Sequence, residues 1–116
     1  MIGLEPTLVD FSAVPDMDAR KVQAALESDQ ARLKDLGYDA EMCLTDLGST
    51  AEAFVARALS ERQFDCIVIG AGLRTLPHYF LLFEKLLNVV HRNAPGASIC
   101  FNTKPSDTAE AVQRWI

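Results

Sequence analysis

Short runs rich in apolar and β-branched residues alternate along the chain with longer stretches whose apolar residues recur at helical spacing. That alternation is the pattern of βα units wound around a parallel sheet. The clearest short run is Phe64-Asp65-Cys66-Ile67-Val68-Ile69-Gly70, whose nearly continuous apolarity predicts a central strand covered on both faces. Ala97-Ser98-Ile99-Cys100-Phe101-Asn102 follows a Pro95-Gly96 turn and reads as a second strand. Asp39 to Thr45 is more mixed in polarity, as expected nearer a sheet edge. Two readings stand for the first strand, Met1 to Leu4 or Leu8 to Phe11. The former is favoured because Pro6 removes a ladder donor, and it leaves a loop of about a dozen residues, a length usually tied to function.

Helices fill the intervals. Asp18 through Leu36 carries Val22, Leu26, Leu33 and Leu36 on one stripe, interrupted by Asp29, and ends at Gly37, which suits a left-handed cap. Ser49-Thr50-Ala51-Glu52 reads as a capping box opening a second helix, and Asp107-Thr108-Ala109-Glu110 repeats that logic for a short last helix. The helix expected from Leu76 to about Arg92 has an apolar arc of roughly half its cylinder, wider than one sheet face needs, with Leu81 set apart in the polar stripe. The excess fits either a helix wedged deep in its own core or, the reading favoured, contact with a partner as well as with the sheet, and a homodimer is the expected assembly. The architecture expected is a three-layer α/β domain spanning 1–116, a four-stranded parallel sheet flanked by helices.

Composition narrows the function more than the fold. A formal charge of -5 argues against nucleic acid as a partner. No apolar run approaches the roughly 20 residues of a membrane span, and the start lacks a signal-peptide pattern, so a cytoplasmic protein is expected. Cys43, Cys66 and Cys100 match no Cys-x-x-Cys spacing; they are expected to be reduced core residues that react slowly with thiol reagents. His78 and His91 fall on roughly opposite faces of one predicted helix and cannot chelate one ion, so no metal site is expected.

In parallel sheets ligands bind beyond the carboxyl ends of the strands. That edge collects Glu5, Asp10 and Ser12 after the first strand and Asp46, Ser49 and Thr50 after the second. It also holds Gly70, Gly72 and Arg74 after the third, with His78 nearby, and Asn102, Thr103 and Lys104 after the last. Gly70-Ala71-Gly72 partly matches a dinucleotide fingerprint, but the third glycine position holds Thr75 and the next strand ends in Asn102. The element reads as a structural glycine turn, and no cofactor is assigned.

Lys104-Pro105 after the last strand resembles the response-regulator receiver domain, in which a Lys at this place contacts a phosphoryl group on an Asp ending the third strand. Gly70 occupies that Asp position here and Asp65 lies at the opposite strand end, so the resemblance transfers no phosphoacceptor chemistry. Ile69-Gly70-Ala71-Gly72, Phe83-Glu84, Asn88 to Arg92, Ala94-Pro95 and Phe101-Asn102-Thr103 with Pro105-Ser106-Asp107-Thr108 carry a second likeness. With them the chain resembles small bacterial α/β proteins of unassigned function with flavodoxin-like topology; the resemblance implies a flavodoxin-like or receiver-like fold and no reaction.

The functional expectation is a small module that binds a compact anionic ligand, or a partner's acidic group, through Arg74, Lys104 and the amides near Ser49 and Thr50. The alternatives are a small-metabolite enzyme using Asp46, His78 or Ser12, and a structural dimeric interaction protein.

Overall fold

The computed structural model describes residues 1–12 and 14–116. The described residues form strands β1 (Ile2–Leu4), β2 (Cys43–Thr45), β3 (Cys66–Ile69) and β4 (Ser98–Phe101). They also form helices α1 (Ala19–Asp35), α2 (Ala51–Glu61), α3 (Ala71–Thr75), α4 (Phe80–Asn93) and α5 (Thr108–Gln113). All strand pairs are parallel in the order β2-β1-β3-β4, with Ile2 opposite both Cys43 and Ile69, and Ile69 opposite Phe101. The first strand is therefore Ile2–Leu4, and Pro6–Leu8 forms a 3-10 turn after it. No helix among the described residues is long and apolar enough to cross a membrane.

The alternation of side chains along β3 explains its continuous apolarity. Ile67 and Ile69 join Ile2 and Leu4 on the face covered by Val55 of α2, Leu73 of α3, and Leu82, Leu86, Val89 and Val90 of α4. Val68 points the other way and meets Cys100, Leu33 of α1, and Ala109, Ala111 and Val112 of α5. Three layers follow, helices on both faces of one sheet. Each fully buried Val, Leu or Ile side chain contributes about 1.5–3 kcal/mol relative to exposure, so the two faces together hold the fold.

Helix α1 begins where the Asp18 side chain accepts a 2.8 Å hydrogen bond from the Lys21 amide. It ends at Gly37, whose φ of 95° allows the Tyr38 amide to reach the Leu33 carbonyl at 3.0 Å. The helix expected to start at Leu76 is instead broken. Leu76 precedes a proline and is extended (φ -91°, ψ 119°), so α3 stops there, Pro77–Tyr79 turns as 3-10, and α4 starts at Phe80. Of the wide apolar arc, Leu82, Leu86, Val89 and Val90 are buried and Tyr79, Phe83 and Leu87 are half-buried, whereas Phe80 and Leu81 remain 64% and 58% exposed. β2 is also shorter than expected, and Asp39 to Met42 lie outside the ladder.

Candidate functional site

The direction of the strand order changes between β1 and β3: β1 leads outward to β2, β3 the other way to β4. Loops from the two strands must diverge at this point, which opens a crevice beyond the strand ends. A cleft of about 350 Å³ occupies it. One wall is the loop after β1, with Val9, Phe11, Val14 and Met17, backed by Val22 and Leu26 of α1. The opposite wall is Gly70 to Leu73 with Thr75 and Leu76, and the rim toward β4 is Asn102, Thr103 and Lys104. Among the described residues lining it, Lys104 is the one that carries a charge.

The two glycines differ in role. A Cβ on Gly70 would stand 3.2 Å from the Ile2 carbonyl oxygen, which the Gly70 amide meets at 2.8 Å, so this glycine lets β1 and β3 approach closely where the cleft begins. At Gly72 a Cβ would meet only open space.

Carboxylates at this edge are committed to their own loops. Asp46 accepts from the Gly48 amide at 3.0 Å, the Thr50 amide at 3.0 Å and the Thr50 hydroxyl at 2.7 Å. These bonds, that of the Thr50 hydroxyl first, hold its carboxyl below the usual range. The expected capping box is therefore replaced: Thr50 is the N-cap of α2 but makes no side-chain cap, and Asp46 binds the amides that an external anion would have used. Asp107 likewise faces backward, accepting from the Thr103 amide at 2.9 Å, the Thr103 hydroxyl and the Lys104 amide at 3.3 Å. Burial pushes its carboxyl up, but those bonds outweigh it and the net displacement is downward. Glu5 accepts from the Thr7 hydroxyl at 3.1 Å.

Arg74 turns away from solvent. Its Nε donates to the Ile69 carbonyl at 3.1 Å and its Nη2 to the Asn102 carbonyl and, at 3.2 Å, to Asn102 Oδ1, while the guanidinium lies 4.9 Å over the Phe101 ring. Burial lowers its pKa from the ordinary value, yet an arginine stays charged. Arg74 is thus a clasp across the ends of β3 and β4. Asn102 is buried, and its Nδ2 donates to Thr108 Oγ1 at 3.0 Å; the Thr108 hydroxyl in turn donates to the buried carboxylate of Asp29.

Among the sequence-predicted residues, Gly70, Gly72, Asn102, Thr103 and Lys104 come together around the cleft, and Arg74 braces its wall from behind. Asp46, Ser49 and Thr50 stand apart at the end of β2, and Glu5 borders a shallow depression with Pro6, Thr7 and Arg20. Ser12 gives its amide to Asp10 Oδ1 at 2.9 Å, and hydrogen bonding from Ser12 lowers the Asp10 carboxyl, with a smaller influence from His78. No group of three or more His, Cys, Asp or Glu among the described residues is placed to hold a metal ion.

Sequence reasoning missed the apolar wall. Its signal was present: Val9, Phe11, Val14 and Met17 recur through a loop, where apolar side chains need a surface to cover. Comparison with protein-family models, curated proteins and solved structures finds no match.

Proposed function

We propose that this chain is a flavodoxin-like cytoplasmic binding module that holds a small monoanionic ligand with an apolar body, such as an aromatic or medium-chain carboxylate. The observation that carries the reading is the apolar cleft at the β1/β3 switch point with Lys104 as the one charged residue among the described residues lining it. Pockets of this kind use apolar walls for affinity and a few polar groups for orientation. A single cation matches a single negative charge. Polyphosphates fit poorly, because Asp10 and Asp107 stand close by and the chain carries a net charge of -5. The strand order agrees with the first four strands of the flavodoxin-like order, and three free cysteines agree with a reducing compartment.

Thermal-shift and calorimetric titration with octanoate and phenylacetate, against phosphate and ATP, tests this reading. The carboxylates are expected to bind and the polyanions not. Val22→Trp, which fills the cleft, is expected to abolish binding, and Lys104→Ala to weaken it about 3–10-fold in a salt-dependent manner. Failure of both carboxylates to bind, or binding unchanged in Val22→Trp, overturns it.

A second reading concerns assembly and rests on the exposure of Phe80 and Leu81 at the start of α4. We propose a homodimer through this helix, since twofold dimers readily bury such faces. Leu81→Glu is expected to weaken association at least about tenfold. Light scattering that shows the unsubstituted chain monomeric at micromolar concentration removes this reading.

A further inference from the structure

At the amino end of β3, across the sheet from the cleft, the pairing of β3 with β4 brings two distant cysteines together. Cys66 is opposite Ser98 and Val68 opposite Cys100, so Cys66 and Cys100 are two positions apart along paired strands. Both side chains lie on the α1/α5 face, and their sulfurs are 3.1 Å apart. Cys43 packs against the core of the other face. A disulfide needs the sulfurs at about 2.05 Å, so closure asks for an approach of about 1 Å.

The two thiols differ in access. Cys100 is 1% exposed, and its sulfur also lies 3.7 Å from the Ile67 carbonyl oxygen. Cys66 is half-buried and borders a cavity of about 160 Å³, together with Tyr38, Arg62, Phe64 and Val112. That volume exceeds the ~30 Å³ share of one liquid water several-fold, which leaves room for a small peroxide. With the Cys100 thiol donating, the hydrogen bond between them holds Cys66 below the ordinary thiol range, and the same bond together with burial pushes Cys100 up. Cys66 is therefore the sulfur that a peroxide meets first, with Cys100 buried directly behind it.

We propose that Cys66 and Cys100 form a hydroperoxide-reactive thiol pair, in which Cys66 is oxidised first and Cys100 resolves it as a disulfide. In the first step the Cys66 thiolate attacks the distal peroxide oxygen; an S–O bond forms, the O–O bond breaks, and the departing oxygen takes a proton and leaves as alcohol or water. In the second the Cys100 sulfur attacks Cys66, the S–S bond forms, and hydroxide leaves with the Cys100 proton as water. Two thiols lose two electrons and one hydroperoxide gains them. This chemistry departs from the sequence expectation of three inert thiols, because only the strand register puts the two sulfurs in contact.

The test uses the folded, reduced full chain treated with hydrogen peroxide and read by intact mass and peptide mapping. The expected product is a mass loss of about 2 Da carried by a Cys66–Cys100 crosslinked peptide and reversed by dithiothreitol. Cys43→Ser should behave identically, whereas Cys100→Ser should stop at a Cys66 sulfenic acid trapped by dimedone. Native-state alkylation of the unsubstituted chain, which needs no variant to fold, should modify Cys66 at least about tenfold faster than Cys100 or Cys43. A crosslink through Cys43, no crosslink at all, or equal alkylation rates overturns the proposal.

Discussion

Thr108→Val is expected to lower the unfolding free energy by about 3 kcal/mol, roughly 10 °C in melting temperature for a domain of this size. Valine preserves the side-chain shape, so the substitution isolates the hydroxyl. That hydroxyl donates to Asp29 and accepts from Asn102 Nδ2 at 3.0 Å, with Asp29 4%, Thr108 0% and Asn102 5% exposed. Its removal takes the hydrogen bond from a buried carboxylate and a partner from a buried amide. Burial raises the Asp29 carboxyl above its ordinary 3.8, with the Thr108 bond and then Arg32 opposing. A carboxyl raised in the folded state binds its proton more tightly there than in the unfolded chain. Its contribution is fully present below pH 3.8 and is lost as pH rises through the folded value. Asp10, Asp46 and Asp107 have lowered carboxyls and act oppositely, losing their contribution as pH falls below 3.8. Glu110, lowered from 4.5 first by its bond from Arg32, acts in the same sense as those three, so urea unfolding above pH 4.5 reads Asp29. Asp29→Asn keeps an acceptor for Thr108 and should flatten the loss of stability there, while Thr108→Val should steepen it. A Thr108→Val protein within about 0.5 kcal/mol of the unsubstituted chain would show that the network contributes nothing.

The same network marks where sequence reading succeeds and where it stops. Asp29 interrupts an otherwise apolar stripe, and that anomaly was visible without coordinates. Its partner was not, because Thr108 lies 79 residues away and is brought to it by the packing of the segment after β4 against α1. β3 was legible because a strand covered on both faces has no polar positions to conceal its period. The end of α1 was legible because a positive φ at Gly37 leaves few alternatives. Helix starts were placed well but explained wrongly at α2 and α5, since a carboxylate outside the helix, Asp46, or one turned backward, Asp107, competes with the local capping box.

Convergence of the site edge follows from parallel topology alone, so Asn102, Thr103 and Lys104 could be placed beside Gly70 from sequence. The direction of each side chain could not. Electrostatic reasoning treated Arg74 and Lys104 as equivalent cations, yet Arg74 is one turn into a short helix whose start abuts the carbonyl of Ile69, and it is drawn inward. Lys104 follows β4 on an exposed rim. Side-chain register on paired strands was equally hidden, and it decides that Cys66 meets Cys100 and leaves Cys43 apart.

Arg74→Ala is expected to cost about 2–3 kcal/mol, because charge-assisted bonds to two carbonyl groups are lost and the ends of β3 and β4 separate. Arg74→Lys distinguishes the clasp from a simple cation. An ammonium on a flexible stem lacks the planar fork that reaches Ile69 and Asn102 together, and it stacks less well on Phe101. Lysine should therefore recover less than half of the lost stability. Hydrogen exchange should locate the change, with the amides of Asn102 to Lys104 opening faster in both variants while those of α2 keep their protection. Carboxylate binding in the cleft should weaken in both, since the Asn102 to Lys104 rim is held by this clasp. Were Arg74 instead an anion-binding group, Arg74→Lys would retain most of the affinity and Arg74→Ala would lose it without loss of stability. Denaturant unfolding and ligand titration on the same two proteins separate these outcomes, and an Arg74→Lys protein as stable as the unsubstituted chain would refute the clasp.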